Sequence, residues 1–124
     1  MSQELPLEQQ RENLNKMIER EQKFVDDGDR LKRLLKNEDF KAVILEGYIK
    51  DEAVRLTKML GDANVIMNPE MKSAVIHDIG GIGSFDAFLR AFEQRVDQAI
   101  SNIDAAREEL DRIDDEEDQD GTEE

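Results

Sequence analysis

Nine apolar residues in the last third of the chain recur at alternating steps of four and three: Phe85, Leu89, Phe92, Val96, Ala99, Ile103, Ala106, Leu110 and Ile113. That spacing keeps one face of an α-helix in line over about four heptads. A strand cannot satisfy it, because its side chains alternate faces at every residue. Phe88 and Ile100 widen the stripe, and the residues between are mostly Asp, Glu, Gln, Asn and Arg, as a solvated face requires. The spacing predicts a helix over 85–113, with Ser84 as its N-cap and Asp86 near the positive end of its dipole. A seam of this length has to be covered by another helix, from the same chain or from a second one. Phe85, Leu89, Phe92, Val96, Ile103, Leu110 and Ile113 are therefore the candidate protein-interface residues.

A looser copy of the pattern runs through Leu7, Gln10, Leu14, Met17, Glu21, Phe24, Gly28, Leu31 and Leu35, with Ile18 and Val25 beside it where Glu21 interrupts. It predicts a long helix over about 6–36, entered through Pro6, that either bends at Asp26-Asp27-Gly28-Asp29 or runs through at a local cost. Two long helices at opposite ends of the chain predict an antiparallel hairpin. Between them, over 38–79, Asn37 and Asn68-Pro69 mark helix starts, and Gly61 marks a left-handed helix end. The expected class is all-α. Two long helices form an antiparallel, coiled-coil-like hairpin around a short-helix subdomain, making one helical domain over 1–113. A disordered acidic tail over 114–124 completes the chain.

Charge restricts the function classes. The chain's 124 residues hold 31 Asp and Glu against 17 Lys and Arg, a formal charge of −14. Eight of those acids fall in 114–124, which contains no base. So acidic a chain is not expected to bind nucleic acid directly, since neutralising phosphates takes Lys and Arg. There is no cysteine, hence no disulfide framework and no thiolate metal site. The longest apolar runs, Ala42–Leu45 and Val65–Met67, are far too short to cross a membrane. The start, MSQELPLEQQ, has neither the basic flank nor the apolar run of a signal peptide.

Constellations that could carry chemistry dissolve on inspection. Gly80-Gly81-Ile82-Gly83-Ser84 opens the last predicted helix, but no Lys follows it and its spacing matches no phosphate loop. It is expected to be a hinge that reverses the chain. Ser73, His77 and Asp78 form a nominal triad, yet adjacent residues on a helix point about 100° apart, so His77 and Asp78 do not face each other. Glu46, Asp51 and Glu52 lack a histidine or a second matched pair, and Asp26–Asp29 lacks the ligand spacing of a calcium loop. Phe85, Phe88 and Phe92 have core spacing rather than that of a stacking platform. The one basic patch, Arg30, Lys32, Arg33 and Lys36 followed by Lys41, suits the negative end of a helix dipole. It could also receive the acidic surface of a neighbouring copy. No catalytic, cofactor or metal residue is assigned, and no enzymatic activity is expected.

The stretch from Asp39 to Leu56, DFKAVILEGYIKDEAVRL, and the later IHDIGGIG from Ile76 to Gly83, leading into a long helix with an acidic end, resemble small acidic helical proteins of tailed bacteriophages. Those are encoded among virion structure and assembly genes. The resemblance covers roughly residues 30–115 and implies a head, neck or scaffolding-related role; it assigns no site residue. The expectation is a non-enzymatic virion structural or assembly protein acting through helix–helix interfaces, with copies of itself or other virion proteins as partners. It would work in the cytoplasm of an infected bacterium or in the virion. The alternative is a small acidic inhibitor that blocks a host protein or mimics nucleic acid.

Overall fold

A computed structural model describes residues 5–122, which are helical except for short turns. The elements are α1 (Leu7–Lys36), α2 (Glu38–Phe40), a π-helix (Lys41–Glu52), α3 (Ala53–Met59), α4 (Ala63–Ile66) and α5 (Pro69–Thr122). They form two compact units: one from the residues up to Asp29 with those from Gln94 onward, the other from Arg30–Glu93. Each long helix contributes to both.

The first unit is the antiparallel pairing of α1 with α5. Its direction follows from where the partners lie: the start of α1 meets α5 at 114–117, whereas positions 21 and 28, further along α1, meet it back at 95 and 96. Arg11 donates to Asp114 at 2.9 Å and to Glu117 at 2.6 Å. Glu21 receives Arg95, and Gly28 lies against Val96. The expected seam is the buried face: Val96, Ala99, Ile103, Ala106 and Ile113 are each at most 7% exposed. On α1 every predicted seam position is half-buried or buried. Glu21, which breaks the apolar pattern, occupies its seam position as an ion. Arg95 donates to both of its oxygens, at 2.9 and 3.1 Å, while the same guanidinium lies 4.0 Å from the Phe24 ring centre. The hydrogen bonds from Arg95 hold the Glu21 carboxyl below its ordinary value, against the opposing cost of desolvation. Of the two courses open at Asp26–Asp29, the helix takes the continuous one. Gly28 is the one buried residue of α1, and the helix runs straight through it. A Cβ there would sit 2.7 and 2.8 Å from the two methyls of Val96, so glycine is what lets the backbones approach.

Two expectations fail in this unit and the next. The acidic stretch expected to be a disordered tail is helical as far as Thr122, with Glu123 and Glu124 outside the described residues. Acids at a helix C-terminus oppose the dipole, but these are partly compensated. Arg112 pairs with Glu109 and Glu116 along the helix, and Arg11 reaches across to Asp114 and Glu117. The expected hinge at Gly80–Gly83 is also absent. α5 starts at Pro69, capped by Asn68 Oδ1 accepting from the Met71 N–H at 3.1 Å, and continues for 54 residues. Thus Ser84 and Phe85 lie inside a helix rather than at its start.

The second unit packs the short helices on the first part of α5. Leu56, Val65, Val75 and Ile82 form its buried cluster, with Ile49, Ala53, Met59, Leu60 and Ile79 against them. Asn37 caps α2 as expected, its Oδ1 accepting from the Phe40 N–H at 2.9 Å. The helix then widens into π geometry for twelve residues, an uncommon length for a form usually seen as one-turn bulges. The sequence accounts for the wider turn. Phe40, Ile44 with Leu45, Ile49 and Ala53 recur every four to five residues, longer on average than the α period, and all of them are half-buried. Gly47 suits the same geometry, since a Cβ there would lie 3.1 Å from the Ala42 carbonyl oxygen five residues back. Gly61 does not end α3 in the left-handed region, because no described glycine has positive φ. Instead Asp62 starts α4 directly, its side chain accepting from the Asn64 N–H at 2.8 Å.

Candidate interaction surface

The seven candidate interface residues divide between the units. Val96, Ile103 and Ile113 are buried within the first unit and Leu110 is half-buried there. A free partner helix cannot use them while α1 covers them. Phe85, Leu89 and Phe92 belong to the second unit and are half-buried. Phe85 meets Tyr48 edge-on, with ring centres 6.2 Å apart, which ties the π-helix to α5. Phe88, which widens the stripe beside the seam, is 60% exposed and tilts against Phe92 at 6.0 Å.

What the seam reading missed is the other face of α5. Within the second unit Val75 and Ile82 point into the core, so the opposite positions face outward. Ser73, Ile76, Gly80, Gly83, Ala87 and Ala91 follow one another at helical spacing there, all exposed and none charged. Past Glu93 the outward positions of α5 become acidic, as a solvated face should be. Gly80, Gly81 and Gly83 carry the sharpest signal. None takes a special backbone angle, and a Cβ on any of them would meet open space. In a helix interior each costs about 1 kcal/mol relative to alanine, and nothing inside the chain recovers that cost.

Beside this face, Tyr48, Glu52, Leu56, His77, Asp78, Gly81 and Ile82 line a shallow depression of about 300 Å³. Arg55 grips Glu52 with two hydrogen bonds and thereby holds its carboxyl below the ordinary value. Ser73, His77 and Asp78 do border one depression, together with Pro69, Glu70 and Ala74. No hydrogen bond joins the three to one another, so the nominal triad has no relay. Glu46 pairs with Lys50 at 3.4 Å and Glu52 with Arg55, so two of the three acids of this cluster are engaged in local ion pairs. Among the described residues no three His, Asp or Glu side chains converge as a metal-ligand set. Nor is any described helix long and apolar enough to cross a membrane.

Charge also separates the two units. Residues 30–93 hold ten basic and ten acidic side chains, whereas the remaining seven basic and 21 acidic residues all fall in the other unit, which therefore carries the whole −14. Comparison of the chain with protein-family models, with curated proteins and with solved structures finds no match.

Proposed function

We propose that this chain is a non-enzymatic interaction protein, a structural or assembly component of a bacteriophage virion that acts through helix–helix interfaces. The observation that carries the reading is the outward face of α5 from Ser73 to Ala91. That face lacks the charges a solvated helix face carries, and three glycines in this stretch lower stability without any gain inside the chain. Small residues let a second helix approach closely, while Ile76 and Phe88, 52% and 60% exposed, supply apolar contact area. The resemblance of Asp39–Leu56 and Ile76–Gly83 to small proteins of tailed phages supports placing that partner among virion proteins. The test is mass spectrometry of particles and precursor particles purified from cells that express the chain from its phage genome. Co-sedimentation with either, lost on Gly83→Glu, is the expected result. Recovery only as free protein at every stage would remove the assembly role.

One finding favours the second reading, an acidic inhibitor or nucleic-acid mimic. Mimicry needs carboxylates on a rigid frame, and the acidic segment is helical rather than tail-like. Residues 97–118 hold ten acids along about 33 Å of helix. That is one per about 3.3 Å, close to the one per about 3.4 Å along each strand of duplex DNA. The opposing observation is that Arg107 and Arg112 lie among them.

A further inference from the structure

We infer that the basic end of α1, Arg30-Leu31-Lys32-Arg33-Leu34-Leu35-Lys36, is a docking surface for a second copy of this chain, which presents the acidic outer face of its α5. The inference stands apart from the partner of the uncharged α5 face and does not depend on it.

Lys32, Arg33 and Lys36 are exposed, and none has an ion-pair or hydrogen-bond partner among the described residues. The nearby Glu38 is occupied by Lys41 at 3.5 Å. Leu34 lies among these cations, 45% exposed. Four bases in seven residues with no acid between them make this the strongest positive patch on a unit whose charges otherwise balance. The complementary surface lies on the same chain. Asp104, Glu108, Asp111, Asp115 and Asp118 follow one another at steps of four and three on α5, so they form a single stripe. All five are exposed and none has an ion-pair partner among the described residues. The acids just inside that stripe, Asp114 and Glu117, are held by Arg11, which keeps this part of α5 against α1 and aims the stripe outward.

A second copy is the occupant that the charges select. Two acidic units repel each other, and two basic ends do as well, so like surfaces cannot pair. Acidic stripe on basic run is the attractive arrangement, and every copy offers both. Made reciprocally about a two-fold axis, the contact closes as a dimer; made once per pair, it leaves one stripe and one run free and association continues.

The test is the solution mass of the full chain by light scattering after size exclusion, across protein concentration and at 50 mM and 1 M salt. The expected mass exceeds 14.3 kDa and rises with concentration at low salt. It falls to the monomer at 1 M, where screening acts within about 3 Å. Charge reversal by K32E/R33E/K36E, or by D111K/D115K/D118K, should weaken association about tenfold or more. Mixing the two variants should restore it, with helical circular dichroism showing each to be folded. A monomer under all conditions overturns the inference. So does a multimer indifferent to salt and to both reversals; that outcome would assign self-association to the uncharged α5 face and leave the proposed function standing.

Discussion

Gly28→Ala should destabilise the chain, although alanine is the better helix former. Helix propensity alone favours the substitution by about 1 kcal/mol. The new Cβ, however, would sit 2.7 and 2.8 Å from the methyls of Val96, a β-branched side chain with no long arm to swing away. Relief requires the two helices to part, and overpacking of this kind costs about 1–3 kcal/mol. The net expectation is a loss of about 1–2 kcal/mol by urea denaturation, and more for Gly28→Leu. Val96→Ala supplies the control. Alone it should cost about 2 kcal/mol as a cavity. In that background the clash is gone, so Gly28→Ala should become neutral or stabilising. A sign change of this kind is the signature of direct contact. Equal effects in both backgrounds would mean that the helices do not meet at Gly28.

Replacing Gly80, Gly81 and Gly83 together with alanine should do the opposite and raise stability by about 2–3 kcal/mol. All three lie inside α5 with ordinary helical angles and open space where a Cβ would go. A hinge using positive φ would make the same triple variant less stable, because alanine tolerates that region poorly. The measurement therefore separates a continuous helix from a bend by sign rather than by size. The gain should come with weaker binding to the proposed partner, since three methyl groups would hold an approaching helix off. Higher stability with undiminished binding would leave the helix intact but remove the uncharged face as the interface.

The seam was the most legible feature of the sequence: from Val96 to Ile113 every seam position is buried except the half-buried Leu110. Gln10 and Glu21 were readable as seam positions only because apolar neighbours kept the register; how a carboxylate could sit there depended on Arg95, 74 residues away. The glycine cluster misled because glycine marks turns and exposed helix faces alike. The deciding signal was nonetheless present: Val75 and Ile82 continue Leu89, Val96, Ile103 and Leu110 at intervals of seven, straight through the glycines. The π segment was hidden for a related reason. Its apolar residues fall every four to five positions, which reads as a vague helix when only the α period is sought. The acidic end misled because composition treats charges as unpaired, whereas Arg112 and Arg11 engage four of its acids or their neighbours. The uncharged α5 face could be recognised only once the core face of that helix was known.

The long seam closes within one chain, α1 on α5. An engineered cysteine pair can report this closure, because the chain has no cysteine of its own. In G28C/V96C the two Cβ atoms would start 3.3 Å apart, a few tenths of an ångström below the usual disulfide range of about 3.5–4.5 Å. After mild oxidation and denaturation without reductant, intact mass spectrometry should find a single chain, lighter by two hydrogens. Disulfide-linked dimers as the main product would mean that α1 pairs with the α5 of another copy and that the seam is intermolecular.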